Sequence, residues 1–226
     1  MKKRSGQPVG ARKRTGVRRK GSSLPAADVL NNAVFLVGFM GAGKTSVGRS
    51  LGEQLNCEFE DLDDRIERRE GRRVAEIFRD SGEPAFRRAE QSALREVLEE
   101  LRGGVARIVA LGGGAFAQKD NAALLLAAGV STVFLDAPLE HLWRRCSQQS
   151  NGTGVERPLL KSRQQFGELY QARHRSYLRA GLRVPTENRT VEAVAAEIAQ
   201  ALGPRLKLKK PKLKKILTRS EEGEVE

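Results

Sequence analysis

The stretch Gly38-Phe39-Met40-Gly41-Ala42-Gly43-Lys44-Thr45 fits the pattern G-x-x-x-x-G-K-[ST] at every fixed position. The apolar residues 33–37 come directly before it and predict a buried strand, and residues 44–55 predict a helix after it. The alternative is a chance match to a glycine-rich turn, but the strand–turn–helix context is the one that a phosphate-binding loop requires. We therefore predict a P-loop at this position.

Glycines let the backbone of such a loop curl, so that successive N–H groups point at phosphate oxygens. The N-terminus of the following helix adds its partial positive charge at the same point. Lys44 can reach the β- and γ-phosphates, and the Thr45 hydroxyl can coordinate Mg²⁺. The loop indicates a nucleoside triphosphate but does not indicate the second substrate. The expected nucleotide-binding residues are Gly41, Ala42, Gly43, Lys44, Thr45 and Ser46.

Beyond the loop, short apolar runs alternate with longer helical patterns. Strands are predicted at residues 33–37, 106–111, 132–135 and 182–184, with a fifth at the acidic cluster that begins at Phe59. Helices are predicted at residues 44–55, 66–78, 85–101, 121–128, 139–146, 164–179 and 191–202. This order predicts an α/β fold with a central, mostly parallel five-stranded sheet flanked by helices. Residues 149–154 break the helical pattern, and the polar, glycine-containing residues 147–156 predict a mobile lid.

The 226 residues carry a formal net charge of +13, which invites a nucleic-acid-binding interpretation. However, the excess lies at the two ends of the chain. Residues 1–27 hold nine Lys or Arg and no acid, residues 205–226 hold eight and four, and residues 28–204 hold 24 of each sign. Because a basic face that reads DNA needs its charge on the fold, we do not expect the core to bind nucleic acid.

The domain organisation follows from the same composition. Residues 1–28 are rich in Lys, Arg, Gly and Ser and cannot bury enough apolar surface to offset chain entropy, so we interpret them as a disordered basic extension. Residues 29–204 then form one domain, and residues 205–226 form a charged tail. The extension is either a solvated segment without a specific role, a weak tether to RNA or another anion, or a targeting segment.

The expected location is the cytoplasm. No apolar run approaches the roughly 20 residues that cross a bilayer, and the start of the chain lacks the apolar segment of a secretory signal. The two cysteines, Cys57 and Cys146, are too few for a disulfide scaffold, which fits a reducing compartment. We expect no membrane partner and a monomer.

An acidic cluster, Phe59-Glu60-Asp61-Leu62-Asp63-Asp64, follows the first helix. Asp61 and Asp63 stand two residues apart at the end of a predicted strand, so both can point into the cleft above the sheet. Phosphoryl transfer needs one carboxylate near the metal and another oriented toward the attacking hydroxyl. The alternative is that Asp63 caps the helix containing Ile66. The residue pattern leaves both interpretations open.

Two further groups of residues are candidates for binding the acceptor. Three glycines at the end of a parallel strand, residues 112–114, let a ligand approach the main chain, or else form a flexible turn. Arg87, Arg157 and Arg173 could hold an anionic acceptor and the moving phosphoryl group, because Arg forms bidentate bonds to carboxylate and phosphate. Composition does not single them out among the 24 basic residues at 28–204. Tyr170 and Tyr177 are interpreted as residues at the edge of the core.

Five stretches follow one another in a defined order and spacing. They are Gly38 to Thr45, Phe59 to Asp63, Glu83-Pro84-Ala85-Phe86-Arg87, Leu111-Gly112-Gly113-Gly114 and Arg157-Pro158-Leu159-Leu160. In this order and spacing they resemble the shikimate kinase family, and the likeness spans residues 33–202. Several separated motifs in order are more specific than the P-loop alone. The resemblance implies a P-loop kinase fold and MgATP-dependent phosphorylation of the 3-hydroxyl of shikimate, in chorismate and aromatic amino acid biosynthesis.

The resemblance also implies roles for matching residues. Asp63 engages the acceptor hydroxyl as base or orienting group, and Lys44 and Arg157 complete the catalytic set. Thr45 and Asp61 hold Mg²⁺; Arg145 stacks on adenine, and Arg157 closes over the phosphates from the lid. The implied shikimate-binding residues are Asp63, Arg87, Gly112, Gly113, Gly114 and Arg173, with Glu90 bracing Arg87 and with Phe78 and Phe86 as apolar walls.

Two alternative functions remain at this point. One is another small-molecule kinase of the same fold, such as a gluconate or nucleotide kinase, although paired carboxylate-binding arginines favour an acidic acceptor. The other is a nucleic-acid-associated NTP-binding protein that uses its basic ends. The expected substrates are ATP and shikimate, with Mg²⁺ as the cofactor.

Overall fold

The computed structural model describes residues 30–153 and 162–206 of the chain. Five strands in this part form one sheet in the order β2-β3-β1-β4-β5, and every neighbouring pair is parallel. The predicted mostly parallel five-stranded sheet is confirmed. The strands are β1 Ala33–Val37, β2 Glu58–Asp61, β3 Arg107–Ala110, β4 Ser131–Asp136 and β5 Leu182–Pro185.

Seven α-helices in the described residues alternate with the strands and flank the sheet. They are α1 Lys44–Leu55, α2 Leu62–Glu70, α3 Val74–Arg102, α4 Lys119–Ala128, α5 Leu139–Thr153, α6 Arg163–Tyr177 and α7 Val191–Leu202. Short 3-10 turns lie at Ala115–Ala117 and Gly203–Arg205. In the part of the chain that the structure describes, no helix combines the length and apolar character needed to cross a membrane.

The predicted helix over residues 66–78 is wrong, because two helices meet there. The side chain of Asp61 caps the start of α2 by accepting from the N–H of Asp63 at 3.1 Å. Gly71 ends α2 in a left-handed conformation (φ 66°), which a residue without Cβ adopts at little cost. Helix α3 starts at Val74 and bends at Gly82 (φ 76°), so its second half agrees with the helix predicted from residue 85.

The predicted break of the helical pattern at residues 149–154 is also misplaced, since α5 continues to Thr153. The predicted lid at 147–156 therefore begins in a helix and runs into residues 154–161, which lie outside the described residues. The predicted extension at 1–28 and residues 207–226 of the predicted tail lie outside them as well.

Strand β1 is the centre of the fold, and each of its residues is at most 1% exposed. Its near-continuous apolar sequence is typical of a parallel strand covered on both faces. Leu36 pairs with Ala110 of β3, and Ala110 pairs in turn with Asp61 of β2. Because these three strands end at the same level, the loops that follow them meet at one edge of the sheet.

Candidate active site

A cleft of about 1300 Å³ lies at this edge. It is lined by the P-loop after β1, the start of α2 after β2 and the glycine loop (residues 112–114) after β3. Residues of α3, α5, α6 and the turn between β5 and α7 also line the cleft. Ligands of parallel α/β sheets bind at the carboxyl ends of the strands, so the cleft stands where the topology predicts a site.

The P-loop has the backbone geometry of a phosphate cradle. Gly38, Gly41 and Gly43 have φ values of 143°, 80° and 92°, which residues with a Cβ rarely adopt. Among the described residues, no side chain caps the start of α1 at Gly43, which leaves the N–H groups of its first turn available to a ligand. Lys44 is drawn into the loop, where its ammonium donates to the carbonyls of Gly38 and Phe39 at 3.0 and 3.1 Å.

Thr45 and Asp61 form an oxygen pair suited to Mg²⁺. The Thr45 hydroxyl donates to Oδ2 of Asp61 at 2.8 Å, while Oδ1 of Asp61 caps α2. Within residues 30–153 and 162–206, no group of three or more His, Cys, Asp or Glu side chains could hold a metal. Mg²⁺ is usually held by one or two carboxylates together with substrate phosphates, so this sparse donor set fits that ion.

Asp63 lies two residues after Asp61, in the first turn of α2, and its environment differs from that of Asp61. Its Oδ1 is buried and has no hydrogen-bond partner among the described residues. Burial, with the nearby carboxylates of Asp61 and Glu90, raises the pKa of Asp63 from 3.8 to about 7. The alternative that Asp63 caps α2 is wrong, because Asp61 is the cap. The freed carboxylate is available to accept a hydroxyl proton.

The glycine loop leaves room for the side chains that lie directly against it. A Cβ on Gly112 would lie 2.8 Å from Oδ1 of Asp63, and one on Gly114 would lie 2.6 Å from Nη2 of Arg87. Either methyl group would displace a functional side chain or the loop. Two residues of this loop are therefore glycine for reasons of space rather than only of turn geometry.

Arg87 is fixed by two carboxylates of α3. Its guanidinium donates to Glu83 at 2.8 and 3.0 Å and to Glu90 at 3.0 and 3.2 Å. Glu90 is completely buried; burial raises its pKa, and Arg87 offsets only part of that rise. The bracing role that the resemblance implied for Glu90 agrees with this geometry.

Arg173 of α6 is the opposite case. It is 9% exposed, and among the described residues it forms no salt bridge with a carboxylate. Its guanidinium lies 6.0 Å from the ring centroid of Phe39, and burial lowers its pKa. A buried cation without a carboxylate partner is costly unless a ligand supplies the anion.

Three of the remaining predicted residues line the cleft, and the fourth, Arg157, lies outside the described residues. Nη1 of Arg145, on α5, donates to the carbonyl of Gly41 at 3.4 Å and lines the cleft. The rings of Phe78 and Phe86 contact each other, with centroids 4.6 Å apart, and also line it. Arg157 lies outside the described residues, so its predicted role has no structural counterpart here.

Sequence reasoning missed two parts of the site. Thr186, Arg189 and Thr190 line the cleft from the turn after β5. Their position after a parallel strand was the available signal, but the short strand carried no motif. Tyr177, interpreted as a core-edge residue, is 1% exposed and donates its hydroxyl to the carbonyl of Gly113.

The chain is similar to known proteins over most of its length. A family model for shikimate kinase matches residues 40–203. The chain is 37% identical to the shikimate kinase of Persephonella marina, covering 73% of this chain and 95% of that protein. It is 39% identical to the shikimate kinase of Cereibacter sphaeroides, covering 84% and 93%.

Solved structures show the same likeness. The shikimate kinase from Acinetobacter baumannii in complex with shikimate superposes with a TM-score of 0.69 at 35% identity, covering 79% of this chain and 96% of that one.

Proposed function

The chain belongs to the shikimate kinase family, and on that ground we propose that it transfers the γ-phosphoryl group of ATP to the 3-hydroxyl of shikimate. The products are shikimate 3-phosphate and ADP. The observation that carries the substrate assignment is Arg173, a buried guanidinium without a carboxylate partner in the described residues, on the same cleft as Asp63. This pair suits an acceptor that has both a carboxylate and a hydroxyl group.

The P-loop residues Gly41 to Ser46 bind the triphosphate. The N–H groups at the start of α1 and the ammonium of Lys44 face the β- and γ-phosphates, where they offset negative charge. Arg145, which reaches the P-loop carbonyl at Gly41, closes the nucleotide side of the cleft. The supporting observation is the positive φ values of Gly38, Gly41 and Gly43, which shape the loop.

Thr45 and Asp61 would hold Mg²⁺ between the protein and the phosphates. The ion would supply positive charge that neutralises the transferring group. The donor set, one hydroxyl and one carboxylate oxygen 2.8 Å apart, supports this assignment. Arg157 would add a further positive charge over the phosphates from the segment after α5.

Asp63 accepts the proton of the attacking hydroxyl. As the shikimate oxygen forms its bond to the γ-phosphorus, the bond to the bridging oxygen of ADP breaks and ADP leaves with the electron pair. A pKa near 7 suits a general base at neutral pH, since the group is ionised often enough and still basic enough to take the proton. Its buried, unpartnered Oδ1 supports this role.

Three groups of residues contact shikimate: two arginines, the glycine loop and two phenylalanines. Arg87 and Arg173 bind its carboxylate, and Gly112, Gly113 and Gly114 form the backbone platform beneath it. Arg87 is held in place by Glu83 and Glu90, so little side-chain entropy is lost on binding. Phe78 and Phe86 exclude water from the apolar face of the ring.

An ADP-release assay against shikimate, gluconate and nucleoside monophosphates tests the assignment. We expect turnover only with shikimate, and ³¹P NMR of the product should show a phosphate ester at the 3-hydroxyl. Turnover with gluconate or a nucleotide would support another small-molecule kinase. Binding of MgATP without any shikimate-dependent product would refute the proposal.

A cytoplasmic location and a monomeric state remain part of the proposal. Light scattering of the purified protein at assay concentration would test the oligomeric state.

A further inference from the structure

We propose that Tyr177 is a positioning residue that orients both the glycine loop and Arg173 for the carboxylated acceptor. The inference rests on the proposed function, because it concerns how that acceptor is bound. Tyr177 does not line the cleft but lies behind its wall, at the end of α6. It would therefore act through its neighbours and not by touching shikimate.

The hydroxyl of Tyr177 holds one peptide group of the loop. It donates to the carbonyl of Gly113, and the ring is anchored on Phe134 with centroids 5.3 Å apart. Burial raises the pKa of Tyr177 above its usual value, so the phenol stays a neutral donor throughout the physiological pH range. The donor is thus permanent and rigidly placed.

This bond determines the direction of an N–H group on the other side of the loop. The described peptide bonds are all trans, and in a planar trans peptide the C=O and the following N–H point in opposite directions. Turning the Gly113 carbonyl back toward Tyr177 therefore turns the N–H of Gly114 away from α6. Gly114 borders Arg87 there, since a Cβ on it would lie 2.6 Å from Nη2 of that arginine.

The other carbonyls of the loop are bound locally. The carbonyl of Gly112 accepts from the N–H of Ala115 at 3.0 Å, and that of Gly114 accepts from the N–H of Ala117 at 3.1 Å. The Gly113 carbonyl has no such backbone partner among the described residues, so its orientation depends on Tyr177. Without the hydroxyl, this carbonyl loses the hydrogen bond that fixes its direction.

The second neighbour of the phenol is Arg173, one helical turn earlier on α6. The spacing of four residues puts the two side chains on neighbouring turns of one helix face, and the Arg173 charge offsets part of the burial-driven rise in the pKa of Tyr177. A carboxylate at position 177 would orient Arg173 equally well but would neutralise its charge. A neutral phenol orients the guanidinium and leaves its charge for the acceptor.

The test compares Tyr177→Phe with Tyr170→Phe, two matched changes on the same helix. Tyr170 packs edge-on against Phe39 at 5.5 Å, and its hydroxyl has no hydrogen bond within the described residues. For Tyr177→Phe we expect KM for shikimate to rise about tenfold, in line with one lost buried hydrogen bond. KM for ATP should change less than about twofold, and Tyr170→Phe should match the parent enzyme in both constants.

A spectroscopic measurement covers the case in which Tyr177→Phe fails to fold. The sequence has two tyrosines, so 3-fluorotyrosine in Tyr170→Phe protein gives a single ¹⁹F resonance, that of Tyr177. We expect this resonance to shift when shikimate is added and to stay in place when MgATP alone is added.

Three outcomes overturn the inference. They are an unchanged KM for shikimate in Tyr177→Phe, an equal rise in KM for shikimate and KM for ATP, and a ¹⁹F resonance that does not shift when shikimate is added. These results differ from failure of the proposed function, which would show as an unsubstituted enzyme without shikimate-dependent turnover.

Discussion

The burial of Asp63 has two consequences, one for proton transfer and one for stability. The raised pKa lets the carboxylate accept a proton near neutral pH, and the ionised carboxylate destabilises the folded state because it is desolvated and lies near Asp61, Glu67 and Glu90. A carboxyl group whose folded pKa is raised binds its proton more tightly in the folded than in the unfolded state. Stability therefore falls as pH rises from about 4 to about 7, and the full cost persists above that range.

We predict that Asp63→Asn abolishes turnover and stabilises the metal-free protein. Each pKa unit corresponds to about 1.4 kcal/mol, so the gain at pH 8 should be about 2–4 kcal/mol and should become small at pH 4.5. Urea unfolding in EDTA at both pH values measures it. Asp120→Asn, at an exposed site on α4, is the control. A gain that is equal at the two pH values would contradict the electrostatic cause.

Gly114→Ala tests the close approach of the glycine loop to Arg87. The added methyl group would lie 2.6–3.0 Å from the guanidinium, which Glu83 and Glu90 hold in place. We expect KM for shikimate to rise about tenfold or more, because the arginine must move. In Gly167→Ala the new Cβ makes an ordinary 3.6 Å contact with Leu139, and kinetics should not change. Steady-state assays of both variants give the comparison.

Among the secondary-structure elements, β2, α2, α3 and β3 are joined by a charged network. Arg65 donates to Glu60 and Glu100, and Arg107 binds the same two carboxylates. This network ties β2, the edge strand that ends at Asp61, to α2, α3 and β3. It gives a structural reason for the charged residues around the acidic cluster that sequence patterns did not explain.

The network predicts an acid-sensitive contribution to stability. The Arg65 side chain holds the pKa of Glu100 down from 4.5 to about 2. A carboxyl group whose pKa is lower in the folded than in the unfolded state stabilises the fold at pH values above its unfolded pKa. This stabilisation is lost as the pH falls from about 4.5 to about 2. We expect Glu100→Gln to cost about 1 kcal/mol at pH 7, since the side chain is 38% exposed and solvent screens the pair, and almost nothing at pH 2.

Urea unfolding of the parent protein and of Glu100→Gln at several pH values measures this difference in unfolding free energy; urea is used because a guanidinium salt would screen the ion pairs. Glu99→Gln is a suitable control, because Glu99 is 69% exposed and pairs only with Arg102 within the described residues. A Glu100→Gln penalty that stays constant down to pH 2 would contradict the ionic explanation.

For the molecule as a whole, the structure suggests slightly different limits for the catalytic domain. Leu30 is buried and donates its N–H to the carbonyl of Ala128 at 3.1 Å. At the other end Leu206 donates to Leu202 and packs against the core. We therefore propose that the domain includes at least residues 30–206, where the sequence predicted residues 29–204.

We predict that a chain of residues 30–206 keeps kcat/KM for shikimate within about twofold of the full chain. Every residue assigned to the proposed reaction lies inside these limits, and the charged ends lie outside them. Kinetics of the two chains at low and high salt provide the measurement. A large loss of activity would assign the ends a role in catalysis, and a loss of RNA or DNA binding alone would assign them a separate one.

Local sequence sufficed for the P-loop, for β1 and α1, and for the alternation that makes a parallel sheet. These features depend on backbone conformation and apolar periodicity, which neighbouring residues express directly. Family resemblance added the identity of the scattered arginines and carboxylates. The errors, such as the joined helix at 66–78 and the early end of α5, fall where a cap or a continuing turn outweighs the periodic pattern.

The folded chain was needed to separate residues of the same type. Asp61 became the helix cap and Asp63 the unpartnered carboxylate, while Arg87 acquired two carboxylates and Arg173 none within the described residues. The sequence pattern also did not reveal that Tyr177 holds the glycine loop. Although Arg87 pairs with Glu83 and Glu90 of its own helix, the burial of Glu90 and Arg173 and the contact of Tyr177 with Gly113 depend on groups that are distant along the chain. Their effect on charge and orientation exists only after the fold has brought these groups together.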